Sequence, residues 1–298
     1  MIASIQPQPI SMVNKALAFV TLSKPRVLLL VILNTAAGFI LGVSGTCPYS
    51  LMLWTLFATA LLAAGVAALN QYLERKRDCL MQRTANRPLP SGRLTPREAL
   101  VFALAFIAFA EFIFFARVAW LDALLGAVVV LTYDGIYTPL KAHAWLSTLI
   151  GAIPGALPAP MGWVAVRGRW GAPALILFSI LFLWQLPHVL AIATLYRTGY
   201  SKAGINLLPL ADSEYALTSW EMIFINVLLI LVSILPIGSG MTGKVYIVPA
   251  SILGVVYLWG TVRLAKQPTK LRAARLLRVS VLYLPLLLIA MIICRKET

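Results

Sequence analysis

Apolar residues run in nine long blocks, at about 27–44, 50–72, 99–117, 119–138, 145–166, 172–196, 219–238, 244–262 and 279–294. Each approaches the roughly 20 residues that cross a bilayer as a helix, so the pattern predicts an all-α integral membrane protein with about nine transmembrane helices. Three blocks carry features beyond hydrophobicity. The first contains Gly38-x-x-x-Gly42, which permits close helix approach. The fifth opens at Trp145 and holds Gly151, Pro154, Gly155, Pro158, Pro160 and Gly162. It is expected to be kinked, with freed carbonyls turned toward protein or a cavity. The sixth carries Trp184-Gln185-Leu186-Pro187-His188; its intramembrane imidazole has three uses open to it, as an iron ligand, a proton relay or a hydrogen-bond partner across helices.

Composition agrees with this reading: 60% of the 298 residues are hydrophobic, 12% are charged, and the mean hydropathy is +0.88. A formal charge of +15 would suit nucleic acid if it lay on a solvated domain, but here the cations sit in short connections, which points to topology and anionic ligands. Nineteen of the 25 Lys and Arg residues fall on one side of the predicted membrane and six on the other, which places the N-terminus in the cytoplasm and the C-terminus outside. Residues 1–22 read as a cytoplasmic or interfacial segment, because the short apolar run Ala16–Leu22 has no small-residue cleavage pattern after it. Residues 23–298 read as one polytopic domain. Cys47, Cys79 and Cys294 lack any metal-ligand spacing.

The chemistry concentrates where the second block ends. Asn70, Glu74 and Asp78 recur every four residues, so on a helix they share one face, each about 6 Å further along the axis. Such a face suits Mg²⁺, which takes one or two carboxylates together with phosphate oxygens and water. The plainer alternative is a charged helix end with i,i+4 pairing. Next comes Arg87-Pro-Leu-Pro-Ser-Gly92-Arg93, which must leave the helix and becomes a basic loop beside those carboxylates. Arg83, Arg87 and, after the fourth block, Lys141 are candidate phosphate contacts.

Several ordered motifs together resemble the haem O synthase branch of the UbiA-type intramembrane prenyltransferases. They are Ser23-Lys-Pro-Arg26, Asn70-x3-Glu74-x3-Asp78-x2-Met81-x-Arg83-Thr84, Asn86-Arg-Pro-Leu-Pro-Ser-Gly92, Tyr137-Thr-Pro-Leu-Lys141, Gly151-Ala-Ile-Pro-Gly-Ala-Leu-Pro158 and Trp184-Gln-x-Pro-His188. The resemblance implies helices bundled around a central cavity, farnesyl diphosphate and haem B as substrates, Mg²⁺ as cofactor, a bacterial inner membrane and a downstream haem A synthase as partner. It assigns Asn70, Glu74 and Asp78 to metal and catalysis, and Arg83, Arg87, Lys141, Tyr137, Tyr200, Arg197 and His188 to the substrates. A related prenyltransferase with another aromatic acceptor and a non-catalytic haem-binding homologue are the alternatives. One departure stands out. Where the resemblance leads one to expect an acidic residue before the tyrosine of a second motif, this chain has Thr198-Gly199-Tyr200, leaving Asp212, Glu214 and Asp134 as possible substitutes.

Overall fold

The computed structural model describes residues 11–141, 147–204, 207–212 and 214–296. The predicted opening of the fifth block at Trp145 lies outside them. Among the described residues, nine helices are long and apolar enough to span a membrane: Pro25–Gly42, Tyr49–Asp78, Pro96–Val118, Trp120–Leu140, Ser147–Arg167, Ala172–Leu195, Ala216–Gly238, Lys244–Lys266 and Lys270–Ile293. These are the first to ninth spans. A tenth helix, Met12–Leu22, precedes them and buries Ala18 and Leu22 against Leu89, Leu94 and Ala99. Lys15 on that helix forms an ion pair with Glu98, which also closes a capping box with Thr95 at the start of the third span.

Two boundaries move from their predicted places. The second span continues without a break to Asp78, because its last turns keep an inward face whose polar side chains find partners. The ninth begins at Lys270 rather than near 279, so the connection left between the eighth and ninth blocks, 263–278, shrinks to 267–269. There the Thr269 hydroxyl accepts from the Arg272 backbone N–H, and Arg272, Arg275 and Arg278 alternate with inward Ala273 and Leu276.

Sequential spans pack as neighbours, and the ninth also meets the first, closing the bundle. The fifth span is the most buried of the nine. As its prolines require, it breaks at Leu157 into Ser147–Ala156 and Pro158–Arg167. The second piece lies against the first span at backbone contact: a Cβ on Gly38 would collide with the Ala159 carbonyl, and one on Gly162 with the Thr35 carbonyl. The fourth span ends in a π-helical stretch, Leu131–Tyr137, which nothing in the hydropathy pattern foretells. Spans six to nine are tied by cross-helix hydrogen bonds from Trp184 Nε1 to the Ser280 carbonyl (2.8 Å), Tyr257 Oη to the Trp184 carbonyl (3.0 Å) and Asn226 Nδ2 to Thr261 Oγ1 (2.9 Å).

The reciprocal glycines set the distance between the first and fifth spans. Gly162→Val is expected to lower stability by about 1–3 kcal/mol through overpacking. A substitution at Gly168, whose Cβ would meet nothing, tests space without this contact but adds backbone strain at φ +65°, so the cleaner control is Gly199→Ala in open space. Thermal midpoints in detergent should fall for Gly162→Val and stay level for Gly199→Ala.

Candidate functional site

Because the second span stays helical to its end, Asn70, Glu74 and Asp78 do share one face, and all three are buried. Buried charge at a helix end persists only where it is matched. Three cations from three other segments provide the match. Lys24, just before the first span, donates to Asn70 Oδ1 (3.3 Å). Lys141, just after the fourth, forms an ion pair with Glu74. Arg87 reaches both Asp78 carboxylate oxygens (2.7 and 2.9 Å). The loop that brings Arg87 back is fixed by the Thr84 hydroxyl, which donates to the Asp78 carbonyl (2.8 Å), and by the prolines that follow.

The cluster extends beyond these pairs. Asn70 Nδ2 donates to Thr138 Oγ1 (3.0 Å), whose own proton goes to the Tyr133 carbonyl (2.8 Å). One turn before Thr138, Asp134 is buried with neither carboxylate oxygen hydrogen-bonded, and Lys24 is its charged neighbour. Arg83 donates to Tyr200 Oη (3.3 Å) and lies over the rings of Tyr196 and Tyr200. Tyr133 and Tyr137 stand side by side, with ring centroids 5.6 Å apart.

Two cavities lie under the cluster. One, of about 170 Å³, is walled by Val27, Val31, Leu62, Val66 and Met161, with Lys24 and Tyr133 at its polar end. The other, of about 210 Å³, is lined by Tyr133, Tyr137, Gly151, Gly155 and Gln185. Tyr133 and Gly155 belong to both. Lys24 of the cluster thus also lines an apolar pocket, and Tyr133 stands where two pockets meet.

Of the sequence-predicted residues, the structure brings together Asn70, Glu74, Asp78, Arg87 and Lys141, with Arg83, Tyr200 and Tyr137 around them. Arg197 does not join; it is exposed on the short helix Arg197–Lys202. His188 faces the ninth span, with Nδ1 at 2.7 Å from Ser280 Oγ and its ring stacked on Trp184, and it lines neither cavity. Of the three possible substitute acids, Asp212 accepts from the Thr218 backbone N–H (2.7 Å) and caps the seventh span, while Glu214 is exposed; only Asp134 stands at the cluster. From the sequence alone, Lys24 has no role beyond its place in the Ser23-Lys-Pro-Arg26 motif. Its backbone is left-handed, with φ of 50°, which turns the side chain back under the bundle.

Among the described residues, no group of three or more His, Cys, Asp and Glu stands close enough to enclose a metal ion. The donors present are two carboxylates and an amide on one helix face. That set fits Mg²⁺ only where phosphate oxygens complete the coordination. Burial, with Arg87 adding a like charge, lowers the Lys24 ammonium to about 8.

Among the described residues, nine spans with a cluster of paired cations and carboxylates beside an apolar pocket define a multi-pass membrane protein. The chain belongs to the UbiA prenyltransferase family, whose sequence profile matches residues 31–286. It is 40% identical over 279 residues to the protoheme IX farnesyltransferase of Solibacter usitatus, covering 90% of this chain and 95% of that one. In fold it is similar to a solved digeranylgeranylglyceryl phosphate synthase (TM-score 0.79, 18% identity, 94% of this chain and 98% of that one). It is also similar to a UbiA homologue from Archaeoglobus fulgidus bound to GPP and Mg²⁺ (TM-score 0.67, 18% identity, 92% and 99%).

The lowered Lys24 value sets a pH dependence. The ammonium is charged below about 8 and loses its proton as the pH rises through that value. Inorganic diphosphate is therefore expected to bind about tenfold more weakly on the alkaline side, the weight of one charge-assisted hydrogen bond. Lys24→Arg, which stays charged, should lose this limb and keep only an earlier one from Lys141, which burial lowers to about 7. Titration calorimetry of both proteins from pH 6.5 to 9.5 measures the difference, with the ligand's own ionisation common to both.

Proposed function

We propose that this protein transfers the farnesyl group of farnesyl diphosphate to a vinyl group of haem B, giving haem O and diphosphate. The observation that carries the reading is that Lys24, bonded to Asn70 in the cluster, also lines the apolar cavity, so that a charged head and its hydrocarbon chain can be held side by side. The acceptor follows from the protoheme IX farnesyltransferase relatives, which match along about 90% of this chain.

In this reading the diphosphate sits among Lys24, Arg87, Arg83 and Lys141. Arg87 and Lys141, now on Asp78 and Glu74, exchange carboxylate for phosphate oxygens as substrate enters. Glu74, Asp78 and Asn70 are the residues that would hold Mg²⁺ against the diphosphate. Bound there, Mg²⁺ supplies neutralisation of the charge that builds on the leaving group. The allylic C–O bond breaks, and the electron pair leaves with diphosphate, stabilised by the cations already in place. Carbon 1 of the farnesyl cation bonds to the terminal carbon of the vinyl group. Water adds at the inner vinyl carbon and gives up a proton, leaving the hydroxyl. The paired faces of Tyr133 and Tyr137 border the meeting point of the two cavities and offer the cation a π surface away from water.

The excess of cations on the cluster side orients that end, with the N-terminus, toward the cytoplasm of a bacterial inner membrane. A haem A synthase is the proposed recipient of the product.

Purified protein in lipid nanodiscs, supplied with haem B, farnesyl diphosphate and Mg²⁺, should form haem O; absence of turnover in folded protein would sink the reading. Glu74→Gln and Asp78→Asn should each lower Mg²⁺-dependent turnover by at least about a hundredfold, the scale of one lost transition-state donor, while haem binding is kept. Product chromatography and haem absorbance titrations read the two separately.

A further inference from the structure

Beyond the cluster lies a third cavity, a basin of about 840 Å³ bordered by Arg83, Lys202 and Lys270 and floored by Leu80, Met81 and Leu195. Its three cations come from the loop after the second span, the short helix after the sixth, and the first turn of the ninth. No Asp or Glu lines it, and none of these cations takes part in an ion pair among the described residues. The Arg83 guanidinium is occupied only by the Tyr200 hydroxyl and the faces of Tyr196 and Tyr200. The basin thus combines apolar Leu80, Met81 and Leu195 with the exposed cations Lys202 and Lys270, which have no ion-pair partner among the described residues.

Size separates it from the two inner cavities. At about 170 and 210 Å³ these fall below the roughly 300–1,000 Å³ of pockets that enclose a drug-sized ligand, whereas the basin falls within that range. A macrocycle therefore suits the basin and neither of the inner cavities. Arg83 and Tyr200, hydrogen-bonded to each other, both line the basin, and Tyr137 lines the second inner cavity.

We propose that this basin is the subsite for the acceptor's carboxylates: Lys202 and Lys270 hold the two propionates of the tetrapyrrole, while Arg83 beside them stays on the diphosphate. The propionates and the vinyl groups lie on different edges of the macrocycle. Anchoring the former turns the vinyl edge inward, past Tyr200 and Tyr137, toward Tyr133. The inference rests on haem B being the acceptor and adds where and by which charges it is held. Anionic lipid headgroups are the other source of the same chemistry, and the test separates them.

The test uses the full chain in nanodiscs and the double variant Lys202→Gln/Lys270→Gln, both positions being exposed. Absorbance titration should show haem B binding about fivefold to tenfold more weakly in the variant, the sum of two exposed charge pairs. KM for farnesyl diphosphate should stay unchanged. Haem B dimethyl ester, with both carboxylates masked, should bind the wild type as weakly as haem B binds the variant, and the variant should cost it nothing further. Equal haem B affinity in both proteins would overturn the proposal, as would an equal loss with the ester. It would also fall if the variant altered only the response to the phosphatidylglycerol content of the nanodisc, which makes the basin a headgroup site. A wild type that binds haem B but forms no haem O removes the catalytic reading and leaves the basin assignment standing.

Discussion

The structure depends on matching three buried polar groups at the end of one helix. Asn70, Glu74 and Asp78 point inward from the second span, and each meets a cation from elsewhere in the chain: Lys24, Lys141 and Arg87. An unmatched buried ion costs several kcal/mol, so each pairing also holds a segment in place. Lys24 pins the start of the first span, Lys141 the end of the fourth, and Arg87 the loop between the second and third. The interactions that fold this end of the bundle are the same ones that leave it ready for an anion. In the function proposed above, a diphosphate entering the cluster would find cations whose desolvation has already been met by the fold and would replace the carboxylates as their partner.

The apolar side of the site follows from backbone geometry. Gly38 and Gly162 let the first and fifth spans touch, and Pro154 and Pro158 break the fifth at Leu157. The same broken segment contributes Pro154, Gly155, Pro158 and Met161 to the wall of the narrow cavity. Irregular backbone within a membrane is tolerated where it lies inside protein, and here it lies at the most enclosed span of the bundle. Close packing on one face and a cavity on the other are thus two consequences of one glycine- and proline-rich stretch.

The π-helical end of the fourth span has a comparable double effect. Widening the turn sets Tyr133, Asp134, Tyr137 and Thr138 along the cluster, with Thr138 bonded to Asn70. It brings a third carboxylate beside Lys24, at a site whose other two carboxylates already have partners. Three carboxylates then face four cations, Lys24, Arg83, Arg87 and Lys141, so the local charge stays positive, as an anionic substrate requires.

Hydropathy and helical period belong to local sequence, and that is why the nine spans, the kink in the fifth, the glycine contact of the first and the common face of Asn70, Glu74 and Asp78 could all be read directly from the chain. The motifs from Ser23 to His188 were likewise enough to indicate the family. Partner choice is not local. That Lys24 reaches Asn70 while Arg197 stays exposed, that His188 meets Ser280, and that Asp134 rather than Asp212 or Glu214 stands at the cluster all depend on which distant segments become neighbours. The cavities depend on the same packing, since their walls are assembled from side chains of several spans. A sequence specifies which charges must be buried by the helices it forms; only the tertiary structure decides which opposite charges reach them, because that is settled by contact across the bundle.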